Sequence, residues 1–202
     1  MKGNRTGRWK TALAGLGAGL VALLIVSCGD EDKSDVTEVW KAANEQIFSE
    51  ISRNSEYTEL PSPGNNGSIY YKVLKKGEGT KQIYFTSTVQ IYYKSWFTVS
   101  NSDLNISKGD VFQQKLFDDG TPVAVAVNGY LTDYTVLTEA RSIALQHMVE
   151  GDKWEVWAPC MLAFRDADCY TYYLIDTDAS KSVRIPAYST VVFEIEVVKV
   201  SQ

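Results

Sequence analysis

The side chains that could act as nucleophiles or metal ligands are few in this sequence. It contains one histidine, His147, and three cysteines, Cys28, Cys160 and Cys169, with no cluster of the two types. Zinc sites and Ser/His or Cys/His nucleophile pairs depend on such groupings, so the sequence argues against both. The glycine-rich segment 77–79 precedes a strand-like run and lacks the helix and Lys-Ser/Thr of a phosphate loop. The sequence therefore predicts no metal and no cofactor.

The downstream cysteines and the histidine have structural interpretations. Cys160 and Cys169 are close enough in sequence to form a disulfide if their Cα atoms approach, and an exported compartment would permit one. Alternatively, both are free thiols, one of them buried. His147 ends a helical pattern, and we expect it in the last turn of a helix, facing solvent or the core.

Cys28 differs from the other cysteines because of what precedes it. Residues 1–10 carry four basic side chains and no acid, residues 11–26 are built only of Thr, Ala, Leu, Gly, Val and Ile, and Ser27 comes next. This is the pattern of a secretory signal, and a cysteine directly after it resembles a lipobox. We predict removal of residues 1–27 and acylation of Cys28. The alternative is a retained membrane anchor, but the apolar run is shorter than the roughly 20 residues of a spanning helix.

The residues after Cys28 are acidic and predict a flexible tether over 28–35. Two or three acyl chains on Cys28 would anchor the chain stably in a membrane. The run 28–32 is either a solvated linker, or it resembles the export signal with which some Bacteroidetes lipoproteins reach the outer face of the outer membrane. We therefore expect a protein of the cell envelope that is lipid-anchored to the outer membrane and either periplasmic or surface-exposed.

The charge balance excludes one class of partner. Removal of residues 1–27 leaves 16 basic against 25 acidic residues, so the formal net charge changes from −5 to −9. Binding to nucleic-acid phosphates requires a basic surface, so this negative charge argues against nucleic acid as a partner. It also argues against a polybasic patch that would bind a membrane. The remaining length suits one domain with a tether.

Hydrophobic periodicity predicts an α+β domain behind an N-terminal helix. A helix begins near Ser34 or Asp35 with an apolar stripe, and the helical segment 36–62 ends in a turn-rich linker. A second helix is predicted over Val136–His147. Period-two patterns typical of a sheet with one buried face predict the following strands: Ile69–Val73, Ile83–Trp96, Val111–Gln113, Val123–Val127, Lys153–Leu162 and Thr190–Val200.

In this order, residues 67–202 resemble an FKBP-type peptidyl-prolyl cis-trans isomerase domain. The strongest match is Ile185–Val197, which resembles the I-P-P-x-S-T-L-V-F-x-V-E-L segment of that family. The other matches are Gly77-Glu78-Gly79-Thr80, Val89–Tyr93, Val111–Gln113, Pro122–Val125, Met148–Lys153 and Ala158–Phe164. The segment 34–59 also resembles a helix that precedes such domains in Bacteroidetes lipoproteins. The resemblance implies an FKBP-like antiparallel twisted sheet wrapped on one short helix.

The resemblance also implies an activity that needs no reactive side chain. Prolyl isomerisation breaks no covalent bond, but the amide loses its resonance as it twists. This loss produces a rotational barrier of roughly 18–20 kcal/mol. A catalyst therefore needs an apolar, aromatic cavity for the twisted amide and a few hydrogen-bond donors. The resemblance implies that the residues at the family's pocket positions form this cavity. In this sequence they are Tyr93, Phe112, Gln113, Leu137, Thr138, Phe164, Ile185 and Phe193.

Several positions depart from the pattern of the family. Arg141 stands where the pocket-floor tryptophan is expected, or else the helix register is shifted by one residue. Phe164 replaces a tyrosine, Gln113 replaces an acid, Ala140 replaces a glycine, and segment 165–181 is long. We therefore expect a weak isomerase that acts on proline-containing segments of exported proteins. The alternatives are a non-catalytic FKBP-like module that binds a peptide or partner, and a surface lipoprotein that binds an unrelated ligand through 165–181.

Overall fold

A computed structural model describes residues 31–115, 120–128, 138–172 and 182–201. Within these ranges, seven strands form one antiparallel sheet in the order β1-β2-β6-β9-β3-β4, with β5 also paired to β3, and β7 and β8 form a separate ribbon. The helices are α1 (Glu31–Ile51) and α2 (Thr138–Leu145). The strands are β1 (Thr58–Pro61), β2 (Ser68–Lys75), β3 (Thr88–Phe97), β4 (Val111–Lys115), β5 (Val123–Ala126), β6 (Lys153–Ala158), β7 (Cys169–Tyr172), β8 (Ser182–Ile185) and β9 (Val191–Ser201).

One face of the sheet forms the core. On β9, Phe193, Ile195 and Val197 are buried and alternate with the more accessible Glu194 and Glu196. The same alternation continues on β6, the neighbouring strand. Because successive side chains of a strand point to opposite faces, this period-two pattern gives the sheet an apolar face. The predicted α+β class, with an antiparallel sheet, a short helix and a preceding helix, is confirmed.

Helix α2 covers this apolar face. Ala140, Ile143, Ala144 and Leu145 are all buried in the same cluster as the inward side chains of β9. The two alanines let the helix axis approach the sheet closely, since they add little side-chain volume. His147, two residues after the end of α2, is exposed, and its Nδ1 lies 2.9 Å from the carbonyl oxygen of Ile143.

Helix α1 is anchored to the domain by buried polar contacts. Trp40 is 1% exposed, and its indole Nε1–H donates to Oγ of Ser189 at 3.2 Å. Asn44 is equally buried, and its Oδ1 accepts the backbone N–H of Thr190 at 2.8 Å. The hydroxyl of Thr190 in turn donates to the backbone oxygen of Asn44 at 3.1 Å. These contacts join α1 to the residues just before β9.

Two segments that carry the family resemblance contact each other directly. The N–H of Gly77 donates to Oδ1 of Asp152 at 2.7 Å, and the N–H of Gly79 donates to the carbonyl oxygen of Glu150 at 3.0 Å. A Cβ at position 79 would lie only 2.6 Å from the backbone nitrogen of Glu150. Glycine is therefore required there by the close approach of two backbones.

The N-terminal boundaries differ from the sequence predictions. Residues 31–35, predicted as tether, are already helical, and α1 ends at Ile51 instead of continuing to the 62–67 turn. Within the predicted helical segment 36–62, residues Thr58–Pro61 form the edge strand β1. An edge position tolerates Pro61, because a proline lacks the N–H that a central strand would donate. Cys28 and the predicted signal 1–27 lie outside the described residues.

The strand boundaries differ as well. Residues 83–87 were predicted as strand, but Ser87 closes a turn in which its N–H donates to the oxygen of Tyr84 at 3.0 Å, so β3 begins at Thr88. After β6, the chain forms a 3₁₀ turn over Cys160–Leu162. The ribbon of β7 and β8 was not predicted.

Two further features concern the thiols and the membrane. Cys160 and Cys169 are both free thiols. Burial raises the pKa of Cys160, and it raises the pKa of Cys169 to about 11. None of the helices in the described ranges is both long enough and apolar enough to cross a bilayer.

The contact between Asn44 and Thr190 predicts a stability effect. Asn44→Ala leaves the buried N–H of Thr190 without its acceptor, and we expect the free energy of unfolding to fall by about 1–3 kcal/mol. Urea denaturation followed by tryptophan fluorescence measures it. Glu45→Ala, at an exposed position of the same helix, is the matched control and should stay within about 0.5 kcal/mol of wild type. Equal effects of the two substitutions would contradict the assignment.

Candidate functional site

Strand register brings the candidate site together on the core face of the sheet. Tyr93 and Ser95 are neighbours on that face of β3, and Ser95 pairs with Phe193 of β9 on one side and with Gln113 of β4 on the other. Arg141 approaches from α2. Together they line a cavity of about 20 Å³, completed by Ile91 and Ile195.

An irregularity in β4 places two consecutive side chains in the core. Ser95 pairs with Gln113, but the next residue of β3, Trp96, pairs with Val111, so Phe112 is the extra residue of a β-bulge. In a regular strand, Phe112 and Gln113 would point to opposite faces. Here Phe112 is fully buried and Gln113 is 1% exposed. The bulge thus directs both side chains into the core, where the Gln113 amide lines the cavity and the Phe112 ring lies beside it.

An aromatic cluster lies beside the cavity. The rings of Phe112 and Phe164 meet edge to face with centroids 5.7 Å apart, and the centroid of Phe97 lies 4.8 Å from that of Phe112. Phe164 follows the 3₁₀ turn and is held by the backbone of Arg165, whose N–H donates to the carbonyl oxygen of Cys160 at 2.7 Å. Ile185 of β8 is fully buried in the same core.

The predicted site residues divide into three groups. Tyr93, Gln113 and Phe193 line the cavity. Phe112, Phe164 and Ile185 are buried in the adjoining core rather than on the cavity wall. Leu137 lies outside the described residues, and Thr138 is described only as the first residue of α2. Sequence reasoning did not identify Ile91, Ser95 and Ile195 as lining residues, although their period-two spacing from Tyr93 and Phe193 places them on the same face.

Arg141 occupies the cavity as a buried cation. Arg141 is 6% exposed, and its Nε and Nη2 atoms have no hydrogen-bond partner. The hydroxyl of Tyr93 and the Oγ of Ser95 are buried without a partner as well. Of the two alternatives for Arg141, the structure favours a side chain that faces the cavity, since Arg141 is one of its lining residues.

Burial changes the acid–base properties of the pair that faces this cavity. Desolvation lowers the pKa of Arg141, because the apolar surroundings disfavour its charge, while nearby Tyr93 acts in the opposite sense. Burial also raises the pKa of Tyr93 to about 12, against the opposing influence of the Arg141 charge. Tyr93 is therefore a neutral hydroxyl at physiological pH, able to donate one hydrogen bond.

The cavity volume limits what this arrangement accepts. About 20 Å³ is close to the space that a single water molecule needs. A prolyl ring enters only if Arg141 moves.

A larger cavity of about 440 Å³ lies beyond Phe97, between the loop after β3 and strand β8, and is lined by Leu104, Ile106, Val183 and Pro186 among others. Phe97 contributes to this cavity and also contacts the aromatic cluster.

The described residues also bear on metal binding. Among the described residues, no group of three or more His, Cys, Asp or Glu side chains is placed to hold a metal ion. The site therefore offers aromatic and aliphatic surface, two hydroxyls, one amide and one guanidinium. This set binds and orients a ligand but contains no paired nucleophile and base.

Comparison with solved structures defines the fold. A peptidyl-prolyl cis-trans isomerase from Pseudomonas syringae superposes with a TM-score of 0.55 at 22% identity, covering 82% of this chain and 96% of that one. FkpA from Escherichia coli gives a TM-score of 0.55 at 19% identity, covering 85% of this chain and 63% of that one. The N-terminal domain of FKBP42 from Arabidopsis thaliana gives 0.50 at 17% identity, covering 74% and 94%.

These similarities show that the chain has an FKBP-like α+β fold. At identities of 22% and below, they establish the fold alone. No family profile matches the sequence, and no curated protein is significantly similar to it.

The buried guanidinium predicts a stabilising substitution. Arg141→Met keeps an unbranched, flexible side chain and removes from the core a charge whose Nε and Nη2 have no hydrogen-bond partner. We expect the free energy of unfolding to rise by about 1–3 kcal/mol. Lys108→Met makes a comparable change at an exposed position and should be neutral. Urea denaturation of both variants is the measurement, and a loss of stability in Arg141→Met would mean that the guanidinium is paired.

Proposed function

We propose that this protein is a lipid-anchored peptidyl-prolyl cis-trans isomerase of low activity that acts on exported polypeptides. The observation that carries the proposal is the position of Tyr93 and Phe193 around a cavity, beside the Phe112–Phe164 pair, within an FKBP-like fold. Aromatic surface beside a donor hydroxyl is what a twisted prolyl amide requires.

The reaction matches the chemistry that the site provides. An amide that twists out of plane loses its resonance and much of its dipole, so apolar surroundings favour the twisted state over the planar one. Without a catalyst the exchange takes tens to hundreds of seconds. The buried rings supply the apolar surroundings, and the hydroxyl of Tyr93 supplies a donor for a substrate carbonyl. No nucleophile, base or cofactor takes part.

Two features predict a low rate. The cavity of about 20 Å³ excludes a prolyl ring until Arg141 is displaced, so part of the substrate's binding energy is spent on opening the site. Phe164, which stands where the related pattern has a tyrosine, offers a ring but no hydroxyl. Displacement of Arg141 is aided by its lack of hydrogen-bond partners for Nε and Nη2, because solvent supplies the bonds that the cavity does not.

We further propose that acylated Cys28 attaches the domain to the outer membrane. Helix α1 begins at Glu31, and its Trp40 is already part of the core. Three residues of extended chain reach about 10 Å at most, so the domain would be held close to the lipid surface. Exported polypeptides passing along that surface are the proposed substrates.

The isomerase proposal is tested by exchange NMR on an X-Pro peptide with the full chain in detergent micelles. We expect a measurable acceleration at micromolar protein. The double variant Arg141→Trp/Phe164→Tyr should raise kcat/KM by about tenfold, equivalent to about 1.4 kcal/mol of transition-state stabilisation. This gain is expected because the variant replaces the obstructing charge with an aromatic ring and adds a hydroxyl.

The matched control makes the same kinds of change at exposed positions. Lys108→Trp/Phe85→Tyr lies on the surface and should leave the rate unchanged. A wild-type rate equal to that of the micelles alone would remove the isomerase and leave a binding module. Equal rates for wild type and the Arg141 double variant would show that the pocket assignment is wrong.

The anchoring proposal predicts a dependence on one cysteine. Cells that express the protein should incorporate labelled palmitate into the wild-type chain, whereas Cys28→Ser should incorporate none. Cys160→Ser is the matched control and should be labelled like the wild type. Label that persists in Cys28→Ser would refute the proposed anchor.

A further inference from the structure

The cavity beneath α2 contains four of the unsatisfied polar atoms of the protein. Nε and Nη2 of Arg141, the hydroxyl of Tyr93 and the Oγ of Ser95 are all buried without a partner among the residues of the structure. These three residues line the same cavity. Most buried polar atoms in proteins are hydrogen-bonded, so four unpartnered atoms around one cavity indicate a polar ligand.

The two unpartnered nitrogens of Arg141 identify the ligand's chemistry. Nε and Nη2 form one edge of the guanidinium, with two parallel N–H groups that match the two oxygens of a carboxylate. The chain shows the same edge in use elsewhere, where Nε and Nη2 of Arg184 donate to Oδ2 of Asp168 at 3.0 and 2.6 Å. The hydroxyls of Tyr93 and Ser95 are further donors. A buried cation with two unpartnered N–H groups and no carboxylate among the other lining residues favours an anion.

The described acidic residues near this region have other partners. Glu139, on the same helix, accepts the hydroxyl of Ser62 at 2.5 Å. Asp152 accepts the N–H groups of Gly77 and Val149. Glu150 accepts the N–H of Val200 at 2.7 Å. Among the described residues no ion pair involves Arg141, so the chain itself provides no carboxylate there within those ranges.

We propose that the site selects prolyl peptides that carry a carboxylate beside the proline. This inference rests on the proposed function and names its substrate class. The carboxylate pairs with the Nε–Nη2 edge of Arg141, and the side chain that follows this partner leaves its position against Tyr93. The space that it leaves then admits the prolyl ring. Arg141 is thus a specificity-determining residue rather than only an obstruction.

The test compares peptides that differ in one group. The probes are acetyl-Ala-Glu-Pro-Phe-amide, its Gln-Pro counterpart, and the Gln-Pro peptide shortened to a free carboxylate on the proline. Isomerisation is followed by exchange NMR and binding by calorimetry, with the full chain in detergent micelles. We expect the Glu-Pro amide to bind and to turn over about tenfold better than the Gln-Pro amide. A preference for the free acid over the Gln-Pro amide would assign the carboxylate to a chain terminus instead.

Variants of the protein form the second arm. Arg141→Met should abolish the preference for a carboxylate, and Lys108→Met, the exposed control, should retain it. Because the comparison of Glu-Pro with Gln-Pro is made on the wild type, the proposal stays testable if Arg141→Met folds poorly. Equal handling of the three peptides by the wild type, or a preference that survives in Arg141→Met, would overturn the proposal.

Failure of this inference is distinguishable from failure of the proposed function. Acceleration of all peptides without a carboxylate preference would leave the isomerase intact and remove the selection. Tighter binding of a carboxylate peptide without any acceleration would remove the isomerase and leave the ligand class in place.

Discussion

The pairing of β3 with β9 is the interaction on which the site depends. The ladder runs from Thr88 opposite Ser201 to Phe97 opposite Val191, and it has β6 on one side and both β4 and β5 on the other. This register places Ser95 beside Phe193 on the core face. Since side chains alternate between faces, a slip of one residue would turn either Tyr93 or Phe193 away from α2, depending on which strand moved. The apolar side chains of both strands oppose such a slip because it would expose them to water.

The ladder also accounts for the unusual position of Arg141. Helix α2 must cover the apolar face of the sheet, and its alanines allow close contact, so the next residue of the helix is brought against Tyr93. A buried guanidinium with two unpartnered nitrogens is costly, and packing alone gives no reason to keep it. Its retention is understandable if the charge has a use in binding, which is the physical basis for linking Arg141 to an anionic ligand. Stability and recognition make opposite demands at this position.

Local patterns in the sequence were sufficient for the fold class but not for the site's shape. The alternation on β9 follows from a period-two pattern in the sequence. Strand β1 and the ribbon of β7 and β8 were not predicted, because short strands show little periodicity and are defined by distant partners. The bulge at Phe112 depends on the register with β3, which no local pattern reveals. The small volume of the cavity results from several elements packing together, so only coordinates show that Arg141 fills it.

The N-terminal helix belongs to the same packing unit as the site. A series of ring contacts leads from Trp40 to Phe97 at 6.1 Å between centroids, then to Phe112 at 4.8 Å, and then to Phe164 at 5.7 Å. Asn44 and Thr190 hold the start of this series in place through buried hydrogen bonds. The segment that would connect the domain to a membrane anchor is therefore packed against the aromatic wall of the pocket. Because α1 packs against the aromatic rings beside the site, it is a structural part of the domain and more than a spacer.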